Sequence, residues 1–141
     1  LSIYFYLLSS LFAIFVLYPL ISFYPYYFTY TSPLFINSNN ANRIIGHKPF
    51  GVGIPELKDL IFEKYGEYPN IGFVDTKPMR SIYMNSKIFD IRESGTRRYD
   101  ILVLAINEDM PENVINGQDN FEYASSLYIN GLEYWRIYVK K

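Results

Sequence analysis

The chain has 141 residues and a mass of 16.6 kDa, with 13 Lys+Arg against 14 Asp+Glu and a net charge of −1. No basic surplus is available for phosphate backbones, so no nucleic acid partner is expected, and a hydrophobic content of 50% excludes a disordered acidic tail. With no Cys and a single His, disulfides, thiolate nucleophiles and multi-His zinc sites are excluded too.

Residues 1–42 contain no charged side chain, although 13 of the 27 aromatic residues fall there. From Leu1 to Ile21, 17 of 21 residues are apolar, the exceptions being Ser2, Ser9, Ser10 and Pro19. At about 1.5 Å per residue such a helix spans roughly 30 Å, the thickness of a bilayer core. The aromatic run Phe23 to Tyr30 beside it reads as an interfacial belt. A signal peptide would need a basic start and a small-residue cleavage site, neither of which is present. A buried core helix this continuous is too long for so small a domain. The expectation is therefore a single transmembrane helix with its belt over residues 1–30, with the lipid bilayer and other membrane helices or subunits as partners. Lys and Arg are absent on both sides of the span, so the positive-inside rule gives no orientation. Leu1 is not an initiator Met, and the chain is read as processed or as a piece of something longer.

Ser32 to Asn42 is rich in Asn and Ser, which favour local side-chain-to-backbone bonds, and residues 31–43 read as a linker. No Asn-x-Ser/Thr sequon occurs. Residues 44–141 read as a small mixed α/β domain. Gly51-Val52-Gly53-Ile54-Pro55-Glu56 opens a helix over 55–65: Pro55 suits the first turn, Glu56 the positive dipole end, Leu57, Leu60, Ile61 and Tyr65 recur at helical spacing, and Gly66 closes it. Ile71–Asp75 reads as a buried strand, Lys77–Met84 as ambiguous with one or two helical turns, and Lys87–Ile91 as a second strand. Tyr99–Ile106 is nearly continuously apolar, which predicts a central strand buried on both faces. Residues 107–120 read as a long acidic loop. Asn130-Gly131 between Tyr123–Ile129 and Leu132–Val139 predicts a C-terminal antiparallel β-hairpin with a type I′ turn.

Each chemically suggestive feature has a plainer reading, and the plainer one is preferred. Gly51-x-Gly53 could present N–H groups to phosphate, but Glu56 stands where a dinucleotide fingerprint needs Gly. Glu108, Asp109 and Glu112 could hold a hard cation but lack an EF-hand spacing. Arg97-Arg98 could meet an anionic headgroup, yet two basic residues also suit a solvated strand start. His47 could titrate near neutrality but has no catalytic companion and reads as a linker residue. Asp75 and Asp100 could pair as carboxylates, although nothing in the sequence brings them together. Tyr134-Trp135 could stack on a sugar, but sheet packing is the default reading. No catalytic, cofactor-binding or metal-binding residue is assigned.

Tyr24-Pro25-Tyr26-Tyr27-Phe28-Thr29-Tyr30-Thr31-Ser32-Pro33-Leu34 resembles the "HPYYLSYYNPL" segment after the last membrane helix of GT-C glycosyltransferases of the dolichyl-phosphate-mannose–protein mannosyltransferase type. In that family a Gly-rich turn and helix follow, similar to Gly51–Leu57. A "DYVVLY" strand resembles Tyr99–Ile106, and a closing "INGVEYAWIY" strand is similar to Ile129–Tyr138. The order of all four is kept. The family's His stands as Tyr24 here, its Asn as Ser32, and its Trp between the glycines as Val52. The family's catalytic acidic residues lie in an early extracytoplasmic loop that no position here matches. The resemblance implies a last membrane helix followed by an extracytoplasmic domain of a lipid-linked-sugar-dependent enzyme. The alternative, from a different class, is a single-pass accessory subunit that stabilises a larger membrane complex. Enzymatic activity of this chain is left open.

Overall fold

The computed structural model describes residues 2–30, 51–74, 76–84, 86–116 and 120–141. The linker expected at 31–43, the first residues of the domain at 44–50, and both His47 and Asp75 lie outside the described residues.

The N-terminal apolar run forms α1, Ser2–Ser22, with Pro19 inside its last turn. It is long and apolar enough to cross a membrane, and among the described residues none of its span is buried. A cis Tyr24–Pro25 bond and a 3-10 turn at Tyr27–Thr29 follow.

The domain begins with α2, Ile54–Tyr65. Gly53 caps it in the left-handed region at φ 67°, and the Gly66 N–H closes it on the Phe62 carbonyl at 3.0 Å. Next come β1 (Asn70–Phe73), α3 (Thr76–Ile82) and β2 (Lys87–Asp90), a parallel crossover unit. β3, Ile101–Ala105, lies parallel to β1 on its other side. α4, Glu112–Ile115, precedes the antiparallel hairpin of β4 (Phe121–Ile129) and β5 (Leu132–Lys140). The sheet order is β2-β1-β3-β5-β4, a five-stranded mixed sheet with β3 at its centre. Asn130 at φ 50° and Gly131 at φ 79° give the hairpin the positive φ pair that its turn type requires.

The ambiguous stretch near Lys77–Met84 is resolved as α3. The acidic stretch 107–120, expected to be a loop throughout, carries the four-residue α4, whose Val114 is 4% exposed. An apolar side chain at that position pulls one turn of the segment into the core.

β3 is buried at every residue, and its two faces belong to separate cores. Ile101, Val103 and Ala105 lie in the larger core, with Leu57 and Ile61 of α2 and Met79 of α3. Leu102 and Leu104 face a smaller core with Ile91, Tyr99 and Val114. Each fully buried aliphatic or aromatic side chain contributes about 1.5–3 kcal/mol before chain entropy opposes it. Among the described residues the second face is covered by the segments flanking β2 and β3 and by α4, with no long helix over it. That cover works because β1 offers a glycine there. A Cβ on Gly72 would lie 2.5 Å from Ile91 Cγ2 and 2.9 Å from Tyr99 Cδ2.

Candidate functional site

Among the described residues, the chain leaving α1 is bound into the domain through Tyr26 and Thr29. Tyr26 packs against the larger core, and its hydroxyl donates to the Glu56 carboxylate, 2.8 Å from each oxygen. Glu56 occupies the first turn of α2, where the helix dipole favours a negative charge. Burial pushes the Tyr26 phenol above its ordinary range. The hydrogen bond to Glu56 and that residue's charge push the same way, while the Gly53 backbone N–H opposes them. Thr29, 2% exposed, donates from Oγ1 to the Tyr26 carbonyl at 2.6 Å. The same oxygen accepts from Asn130 Nδ2 at 2.8 Å, so the turn of the β4–β5 hairpin is tied to the segment that leaves α1.

The Gly-rich turn joins the same knot. Trp135 Nε1 donates to the Val52 carbonyl at 2.7 Å, and a Cβ on Gly53 would meet Ile129 at 3.0 Å and Leu127 at 3.1 Å. Val52 and Gly53 are therefore closed under the hairpin, and the phosphate reading of Gly51-x-Gly53 finds no open cradle. Three segments distant in sequence meet at this point: Tyr26–Thr29, Val52–Glu56 and Leu127–Trp135. The charges at this point are Glu56, whose two oxygens are held by one phenol, and Glu133, which is paired with Arg136. It is built to fix geometry, with no acid/base pair aimed into a cavity.

The other sequence candidates are dispersed. Glu108 accepts from the Ala105 N–H at 2.8 Å, whereas Asp109 and Glu112 are exposed, and no group of three metal-ligating side chains occurs among the described residues. Arg98 is exposed at the end of a 3-10 turn before β3. Asp100 accepts from Asn70 Nδ2 at 3.1 Å at the amino end of β3. Tyr134 and Trp135 are 3% and 5% exposed, so they are core residues and offer no face to a sugar.

A second polar cluster stands at the carboxyl end of β2. Arg92 holds Asp90 through two side-chain bonds, Nε to Oδ1 at 3.1 Å and Nη2 to Oδ2 at 2.8 Å, and also donates to the Val74 carbonyl at 2.8 Å. The Arg92 hydrogen bonds hold the Asp90 carboxyl below its usual range, against the effect of partial burial. Asn113 donates to the Ile91 and Ser94 carbonyls beside it. These groups satisfy one another and the backbone, which marks a loop brace.

In the sequence Tyr26 reads as a belt aromatic, Glu56 as a dipole partner and Asn130 as a turn residue, and Thr29 carries no signal of its own. Their contacts span 30 residues between Tyr26 and Glu56 and 101 between Thr29 and Asn130. No local pattern signals them. Comparison with protein-family models, curated proteins and solved structures gives no match.

Proposed function

We propose that the chain is a membrane-anchored, non-catalytic unit. In this reading α1 crosses a bilayer and carries the α/β domain on the extracytoplasmic side, as the C-terminal region of a lipid-linked-sugar glycosyltransferase. The anchor is supported by a helix that is apolar on all sides and has no buried residue in its span among the described residues, an arrangement suited to lipid or to other apolar helices.

One observation carries the glycosyltransferase part. Three of the four segments that resemble that family form the knot described above, and the fourth, β3, pairs with β5 beside it through Ala105 and Trp135. Residues resembling a shared pattern are thus the ones that join helix to domain. The role this suits is positional: the domain is held at a set orientation at the end of α1. The acidic loop of the family has no counterpart here, so any sugar transfer would be done by other parts of the enzyme. The side of the membrane rests on the resemblance alone.

The test is the intact mass of the native protein recovered in detergent, together with sugar transfer from a lipid-linked donor. A longer polytopic product is expected, with transfer that falls when Tyr26→Phe loosens the knot. Recovery of the chain in stoichiometric complex with unrelated membrane subunits would replace this reading by the accessory-subunit one. Turnover by the purified 141-residue chain would overturn the non-catalytic assignment.

A further inference from the structure

We infer that the tip of the β4–β5 hairpin lies in the interfacial layer of the bilayer, beside the 3-10 turn that follows α1, so that the domain rests on the lipid surface along this corner. The inference rests on the reading of α1 as a membrane span and adds which face of the domain meets lipid.

Three independent observations converge. The first is depth. Ser22 ends α1, the segment after it folds back so that the Phe23 and Tyr30 rings meet at 5.1 Å, and Thr29 holds Asn130 at 2.8 Å, so the hairpin turn sits near the level where the apolar helix ends. The second is surface chemistry. Tyr24, Tyr27 and Phe28 are 71%, 47% and 60% exposed, and Tyr128, two residues before Asn130, is 58% exposed. Tyr rings carry an apolar body and a polar tip, which suits the headgroup boundary better than either water or hydrocarbon. The third is charge. β4 is an edge strand, and free edges are ordinarily guarded by charged side chains. Yet no charged residue occurs from Tyr123 to Leu132; Glu133, directly across from Tyr128, is neutralised by Arg136 at 2.9 Å, and Lys140, Lys141 and Glu122 gather at the opposite end of the hairpin. A Cβ on Gly131 would meet nothing within 4 Å, so the tip projects freely. An uncharged, aromatic tip tied to the end of an apolar helix matches the interfacial layer as its occupant.

The absence of Cys makes the test clean, because each introduced Cys carries the only label. The full chain is reconstituted in zwitterionic phospholipid vesicles with an environment-sensitive fluorophore at Phe12→Cys, Phe28→Cys, Tyr128→Cys or Lys87→Cys. Trp135 fluorescence confirms that each variant is folded. Aqueous iodide and nitroxide lipids, labelled near the headgroup or at the chain end, serve as quenchers. The expected result is a label at 128, and likewise at 28, quenched by headgroup nitroxide and several-fold less open to iodide than the label at 87. Iodide reaching 128 as freely as 87, with the label at 12 quenched by chain-end nitroxide, would overturn this inference and leave the anchor standing. A label at 12 open to iodide would remove the anchor reading and this inference with it. Shielding of 128 from both quenchers would mean that a protein surface or a second copy covers β4, which also overturns contact with lipid.

Discussion

Gly72→Ala isolates the close approach that holds the second core together. The new methyl would lie 2.5 Å from Ile91 Cγ2 and 2.9 Å from the Tyr99 ring, where carbon atoms rest at about 3.5–4.0 Å. Ile91 and Tyr99 are both 0% exposed, so neither can swing into solvent. Relief has to come from moving β1 away from the segments that cover it. Overpacking of this kind costs about 1–3 kcal/mol, and the removal of a strand glycine returns about 0.5–1 kcal/mol. The net expectation is destabilisation by about 1–2 kcal/mol. With a urea slope of about 1–3 kcal/mol/M, the midpoint falls by roughly 1 M. Trp135 is the one tryptophan and is 5% exposed, so its emission follows domain unfolding while detergent shelters α1. Ile91→Ala opens a cavity when made alone, but it also removes Cγ2. The double variant should therefore be less destabilised than the two single effects added together, with a coupling of about 0.5–3 kcal/mol. A Gly72→Ala midpoint at or above that of the parent would refute the reasoning, as would strict additivity in the pair.

Three further outcomes are expected, the first two read as urea midpoints from Trp135 emission. The Asp90 carboxyl is held below its usual range by Arg92, so its contribution is present above the unfolded value of 3.8 and is lost as pH falls through the lowered folded value; Asp90→Asn should flatten that acid limb slightly, since the Arg92 side chain is 59% exposed. The Tyr26 phenol is raised above 10.0, chiefly by burial and then by Glu56, so its contribution is complete below that pH and is lost as pH rises beyond it; Tyr26→Phe should weaken the alkaline fall, and an unchanged alkaline limb would refute a buried phenol held at this point. Asn130→Gly keeps the positive φ of the turn but removes the amide that meets Thr29, so it should cost about 0.5–1.5 kcal/mol and speed amide exchange at Tyr30, whereas exchange at Gly131 alone would assign Asn130 to the turn only.

How much of this protein can be read without its fold depends on the range of the forces involved. Neighbouring residues determine α1, because an apolar run needs only its own hydrogen bonds to become a helix. They determine α2, because Pro55, Glu56 and Gly66 act within a turn of their own positions. They determine the hairpin, because Asn130-Gly131 sets the turn, although the register shifts at Tyr123/Ser125 and Leu127/Tyr128 are not signalled by it. The two-sided burial of β3 is equally legible, since only a central strand can be apolar at every position. What covers its second face was decided elsewhere. α4 inside the acidic stretch exists because Val114 finds Leu102 and Leu104, and Gly72 is required because Ile91 and Tyr99 press against β1. The sheet order β2-β1-β3-β5-β4 follows from which faces can be buried together, a property of the whole domain. The knot of Tyr26, Thr29, Glu56 and Asn130 belongs wholly to the tertiary structure. Its bonds join residues 30 and 101 positions apart, and hydrogen bonding at about 3 Å leaves no trace in a sequence until folding brings the groups together.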